Sequence, residues 1–146
     1  MSFAIRRVLG AAERDAALAL RHRVFCEEQG VPEQEERDGR DEDGLHLVAI
    51  DADAGQRVIG TCRLLFVGGT VQFSRLAVEE EARRHGVAGA LLSAAEDEAR
   101  AAGVKRMVLH AQTYAQELYR GAGWEARGAR FVEAGIEHVA MEKALA

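Results

Sequence analysis

Two neighbouring stretches decide how this chain is read: residues 73–78, Phe73-Ser74-Arg75-Leu76-Ala77-Val78, and residues 83–92, Arg83-Arg84-His85-Gly86-Val87-Ala88-Gly89-Ala90-Leu91-Leu92. An extended apolar pattern hands over, through a short charged connection, to a helix whose first turn is rich in Gly and Ala and is preceded by two arginines. The first turn of a helix carries N–H groups without intrahelical acceptors, and the positive end of its dipole favours an anion. Small residues at Gly86, Ala88 and Gly89 let a pyrophosphate approach those donors closely, and Arg83 and Arg84 add charge. A Walker-type loop is excluded because no Gly-Lys-Ser/Thr follows, and Gly86-x-x-Gly89 lacks the leading Gly-x-Gly of a dinucleotide fingerprint. On this segment alone, an ordinary Ala-rich helix with a solvated arginine pair stays open as the plainer reading.

Working outward, Phe3 to Val8 reads as a first strand, and Ala11 to Gln29 as a helix, with Ala17, Leu20, Val24 and Phe25 at three- and four-residue intervals and Gly30 and Pro32 as its stop. Leu45 to Ile50, Arg57 to Val67 and Thr70 to Val78 read as strands, and Gly68-Gly69 between the last two is a hairpin signal, so an antiparallel meander is expected. Val87 to Ala102 is a helix with Val87, Leu91, Ala94, Ala95 and Ala99 on one face, Glu96, Asp97, Glu98 and Arg100 on the other, and Gly103 as C-cap. Val104 to His110 is extended, Thr113 to Arg120 is a short helix, and strands around Trp124 to Val132 and Ile136 to Lys143 close the chain across a turn near Gly135.

The 146 residues suit a single domain, 1–146, and 48% apolar with 29% charged residues is ordinary for a soluble globular protein. No apolar run approaches the ~20 residues of a membrane span, and Met1 to Val8 lacks the apolar stretch of a secretory signal, so a cytoplasmic protein with no membrane partner is expected. Cys26 and Cys62 have no metal-ligand spacing and read as reduced, packed thiols, with no metal. A net charge of −5 disfavours a nucleic-acid partner. The stretch Glu33 to Asp43, with seven carboxylates against Arg37 and Arg40, reads as a polar loop outside the core, and Asp41, Asp43 and Gly44 do not complete a calcium loop.

Further motifs carry a family resemblance. Arg83-x-x-Gly86-x-Ala88, following a Leu-Ala-Val strand, resembles the Arg/Gln-x-x-Gly-x-Gly/Ala signature of the GNAT acetyltransferases, and Gln112-x-x-Ala115-x-x-x-Tyr119-x-x-x-Gly123-Trp124 resembles that family's second cluster, Asn-x-x-Ala-x-x-x-Tyr-x-x-x-Gly-Phe. Residues 21–32, with the acidic stretch behind them, and residues 131–141 resemble the ElaA-like branch in particular. The departures are Ala88 for the commoner Gly and Gln112 for the commoner Asn.

The resemblance implies an α/β (α+β) GNAT fold: a mixed, mostly antiparallel sheet of about six to seven strands, flanked by helices and splayed between its two central strands. It implies acetyl-CoA as cosubstrate, with Leu76, Ala77 and Val78 lining the pantetheine, Arg83, Arg84, Gly86, Val87, Ala88 and Gly89 holding the pyrophosphate, and Gln112 and Tyr119 completing the cofactor site. Tyr119 becomes the general acid for the departing thiolate, a phenol of pKa ~10 facing a thiol of ~8.5. The amine attacks the thioester directly in a ternary complex, and the Leu76 N–H steadies the oxyanion.

The amine must first lose a proton. Glu28 is the favoured base, because it lies seven residues beyond Arg21 on the stripe of Val24; an ion pair with Arg21 or a helix-end contact is its plainer alternative. His46, His110 and His138 carry imidazoles, which titrate near neutrality, though each alone is as readily structural. Arg75 either lines the acceptor side with Glu28, His46 and His138 or pairs with Glu28, and the acidic stretch either steers a cationic amine or is merely solvated. The partner implied is a small-molecule or peptide amine, for a monomer or homodimer. A non-catalytic acyl-CoA sensor and a protein-interaction module remain the rival readings.

Overall fold

The computed structural model describes residues 1–53 and 55–146. In chain order its elements are β1 (Phe3–Arg7), α1 (Gly10–Arg21), α2 (Glu33–Glu36), β2 (Leu45–Asp51), β3 (Arg57–Val67), β4 (Thr70–Val78), α3 (Val87–Ala101), β5 (Arg106–Gln112), α4 (Gln116–Gly121), β6 (Glu125–Glu133) and β7 (Ile136–Ala144). The strands form one sheet in the order β1-β2-β3-β4-β5-β7-β6. Short turns give antiparallel neighbours, whereas α3 crosses over between β4 and β5 and makes that pair the parallel one. The expected α/β sheet of the GNAT fold is the one observed.

The β4–β5 ladder is short. It joins Thr70, Val71 and Gln72 to Arg106, Met107 and Val108, and beyond Gln72 the two strands diverge. On the other side of β4 the register with β3 passes from Ser74 opposite Arg63 to Ala77 opposite Thr61, leaving Arg75 and Leu76 to share the place facing Cys62. This is a β-bulge, and Arg75 stands in it at φ +57, a conformation that a residue with a Cβ adopts only under local constraint.

The sheet packs a core on each face. On one side β3, β4, β5 and β7 bury Ile59, Leu64, Phe73, Met107, Leu109 and Met141 against Leu91, Leu92 and Ala95 of α3. On the other, Val48, Ile50, Val58 and Ala77 meet Ala17 and Leu20 of α1. Gly60 lets α3 come close to β3, because a Cβ there would stand 2.8 Å from Val87 Cγ1. At the edge of the sheet β6 is exposed along most of its length.

Three expectations need correction. The first long helix is α-helical only to Arg21, and His22–Glu28 continues as a π-helix. Its slower winding turns Glu28 off the stripe expected from α-helical spacing. The acidic stretch is largely exposed but is not all solvated loop: its first four residues form α2, Glu36 is buried to 2% exposure, and Glu36, Asp38 and Asp41 are set against Arg21, Arg63 and Arg75, counter-charges that arrive from α1, β3 and β4. Finally, Glu96 is not on an outer polar face of α3: it is buried, accepting from Trp124 Nε1 at 3.2 Å and Lys143 Nζ at 2.6 Å.

Candidate active site

The α3 entry is an array of unused donors. Among the described residues none of the backbone N–H groups from Arg84 to Gly89 finds an acceptor, and the helical ladder begins with Ala90 N to Gly86 O at 3.0 Å. Arg84 at φ +66 and Gly86 at φ +82 bend the chain so that successive amides converge. No side chain caps the helix, and nothing lies within 4 Å of a Cβ placed on Gly86 or Gly89, so the array is open from outside. This donor set fits a diphosphate by charge and by geometry.

The two arginines differ. Arg84 is exposed and makes no ion pair among the described residues. Arg83 is tied inward, Nε donating to Val78 O at 3.1 Å and Nη2 to Glu28 Oε1 at 3.0 Å and Oε2 at 2.8 Å. Glu28 therefore pairs with neither Arg21 nor Arg75. Arg21 is bound by Glu36 and Asp41, and Arg75 donates to the Glu36 carboxylate, to the Glu35 and Glu36 carbonyls and to Asp38. Neither arginine pairing foreseen for Glu28 forms, because the acidic stretch supplies nearer carboxylates.

Leu76 lies outside both ladders of β4, on the lip of the cleft where β4 leaves β5. Ala77 and Val78 are buried on opposite faces, each within one of the two cores. Tyr119, on α4, lies beneath this cleft, edge-on to Phe73 at 6.4 Å and to Trp124 at 6.1 Å. Burial pushes its phenol well above the ordinary value, with the Cys62 and Tyr114 side chains adding to the shift. Its hydroxyl has no hydrogen-bond partner among the described residues, yet no side-chain N or O there is both sealed and unpartnered, so the oxygen opens to the surface.

Gln112, at the end of β5, donates to Gln29 Oε1 at 2.8 Å, and Gln29 donates on to the Tyr114 hydroxyl at 3.3 Å. Glu28 and Gln29 thus tie the end of the π-helix to both sides of the cleft, the first to Arg83 and the second to β5. His46 lies apart, its Nε2 donating to Asp41 O at 2.7 Å beside the arginine–carboxylate network. His138 sits on β7, opposite Gln112 on β5 and Phe131 on β6. Sequence reasoning missed Gln29 and Phe131, which no spacing rule marks.

A groove of about 270 Å³ between α3 and α4, lined by Gly89, Ser93, Glu96, Leu118 and Lys143, leads away from the amide array. A depression of about 610 Å³ is lined by Asp15, His22, Arg23, Glu27 and Glu33 of the first helix and α2.

The sequence matches the Acetyltransferase (GNAT) domain family over residues 10–145, so the chain belongs to the GNAT acetyltransferase family and is an acyltransferase. It is 33% identical to the uncharacterized N-acetyltransferase YjcF of Bacillus subtilis (strain 168) over 87% of this chain and 89% of that protein. A crystal structure of a Lactobacillus plantarum protein, 30% identical, superposes over all of both chains with a TM-score of 0.89. Escherichia coli ElaA, 25% identical, superposes over 97% of this chain and 99% of its own with a TM-score of 0.85.

Proposed function

We propose that the protein transfers an acetyl group from acetyl-CoA to an amine by direct attack in a ternary complex. The observation that carries this is the run of unsatisfied amides from Arg84 to Gly89, set where β4 ends after parting from β5. A diphosphate on those amides, with Arg84 beside it, directs a thioester arm into the cleft, where Leu76, Ala77 and Val78 offer main chain to it. The groove between α3 and α4 gives the nucleotide end room.

At the far end of the arm, the Leu76 N–H is the donor for the oxyanion and Tyr119 is the acid for sulfur. The open, protonated hydroxyl of Tyr119 favours transfer over mere sensing of acyl-CoA, since binding alone requires no acid there. Glu28 already neutralises Arg83, so its part is to hold that arginine rather than to take a proton. The acidic residues 36, 38 and 41 are spent on buried arginines, which leaves little field from them to steer an amine. The acceptor is a small-molecule or peptide amine and the site of action the cytoplasm; among the described residues no helix is long and apolar enough to cross a membrane.

The test is calorimetry with acetyl-CoA beside thiol release over a panel of amines. Micromolar binding with amine-dependent CoA release is expected. Tight binding without release on any amine would convert the reading into that of a sensor.

A further inference from the structure

We infer that His138 is the proton acceptor for the incoming amine, an assignment that rests on the acetyltransfer reading above. His138 is 8% exposed as a residue, and its Nδ1 lies 2.7 Å from Ile136 O. A carbonyl only accepts, so Nδ1 carries the proton and Nε2 presents its lone pair. Nε2 has no partner among the described residues, and no side-chain nitrogen there is both sealed and unpartnered, so this lone pair reaches the surface. A basic nitrogen of fixed tautomer, held nine-tenths buried and left unused by the fold, is what proton abstraction requires.

Strand register puts it beside the cleft. Gln72 pairs with Val108, and four residues further along each strand come Leu76 on one lip and Gln112 on the other. His138 faces Gln112 across the β5–β7 ladder, one strand spacing of about 4.8 Å behind that lip. The ring cannot drift: it stacks on Phe131 with centroids 5.9 Å apart, and Phe131 is braced edge-on by His110 at 5.0 Å. His110 is fixed in turn by Glu133 at 2.8 Å. β6 is exposed along most of its length beside the ring, which leaves an amine a route to it while the thioester arm fills the cleft from the α3 side.

The other candidates are engaged. Glu28 is bound by Arg83, His46 Nε2 is taken up by Asp41 O, and His110 is half-exposed and hydrogen-bonded to Glu133. The charged and titratable groups around His138 are His110 on β5, Glu133 on β6, Glu137 beside it in β7, which meets Thr113 and Arg130, and Glu142 further along β7, which holds Arg106 and Arg127.

In the step assigned, an ammonium gives one proton to His138 Nε2, and the freed lone pair forms the C–N bond. The C–S pair leaves with sulfur, which takes the proton of Tyr119. Collapse of the adduct releases the second nitrogen proton to restore the phenol, and the imidazolium returns its own to solvent, one net proton per turnover.

The experiment is His138→Gln in the full chain, assayed with an alkylamine that is protonated at pH 7 and with hydroxylamine, which is already neutral. Expected are a ~10²-fold loss of kcat/KM with the alkylamine and loss of the acid limb of its pH profile. With hydroxylamine the loss should be under threefold, and the acetyl-CoA Kd by calorimetry unchanged, which also reports that the variant is folded. Equal losses with both amines, or a pH profile unchanged from wild type, would overturn the assignment while leaving acetyltransfer intact. Wild-type protein that binds acetyl-CoA and acetylates neither amine would overturn the transfer reading and this assignment together. His110→Gln, which disturbs only the brace, should change the alkylamine rate less than tenfold, and a loss matching that of His138→Gln would move the role to His110.

Discussion

Glu28 grips Arg83 with both carboxylate oxygens, joining the end of the π-helix to the turn that opens α3. The pair is partly exposed, with side chains at 36% and 40%, so its worth to stability is small. Its effect is positional, since Arg83 also reaches back to Val78 O at 3.1 Å and so fixes how β4 passes into the amide array. Glu28→Gln should therefore lower turnover less than ~10-fold and leave the acetyl-CoA Kd within a few-fold. A general base at this position would cost ~10² or more. Steady-state kinetics on the variant decides between the two.

Tyr119→Phe removes one oxygen from a side chain packed edge-on between Phe73 and Trp124. The ring contacts survive, so acetyl-CoA affinity should be nearly kept. Turnover should drop ~10²-fold or more, because sulfur then leaves without a proton. Unchanged turnover would take Tyr119 out of the acid role.

Much of this was readable beforehand wherever a local rule applied. β3 and β4 run over the residues expected, Arg57–Val67 and Thr70–Val78, because Gly68 and Gly69 mark the turn between two apolar-alternating runs. α3 starts at Val87, where the small residues begin. The features that escaped depend on contacts distant in sequence. Glu36 reads as solvated until Arg21 and Arg75 are placed beside it, and Glu96 reads as an outer-face carboxylate until Lys143, 47 residues on, reaches it at 2.6 Å. Of the site, the amide array follows from spacing alone, whereas the partners of Glu28 and the locked tautomer of His138 follow from strand register and loop path, which composition does not encode.

Gly60 offers a test of how the fold sets the site. A methyl at this position would meet Val87 Cγ1 at 2.8 Å and Leu91 Cδ1 at 3.1 Å, and Val87 is the first residue of α3. Gly60→Ala should destabilise the protein by about 1–3 kcal/mol through overpacking. It should also weaken acetyl-CoA binding several-fold, because the helix that must give way carries the donors. Urea unfolding and calorimetry read the two effects separately. A loss of stability with unchanged acetyl-CoA affinity would show that the array does not ride on this contact.

The network of Arg21, Arg63 and Arg75 with Glu36, Asp38 and Asp41 should make the protein acid-labile in a defined range. The hydrogen bond from Arg63 holds the Asp38 carboxyl well below the usual range, and a backbone N–H at Arg40 adds to it. For Asp41, burial works to raise the value, but Arg21 and Arg63 together outweigh it and the net shift is downward. Depressed folded values mean that the stabilisation is complete above the unfolded value of 3.8 and is lost as pH falls toward the folded values. The contribution of these two groups to the urea midpoint should thus be full and unchanging between pH 5 and 7, by this linkage, and the midpoint should fall steeply below about pH 4. Asp38→Asn removes one of the titrating groups, so the variant should start less stable at pH 7 and lose less on acidification. Parallel curves for variant and wild type down to pH 3 would mean that the acid sensitivity arises at other carboxylates, such as Glu13 with Arg6 or Glu98 with Arg7.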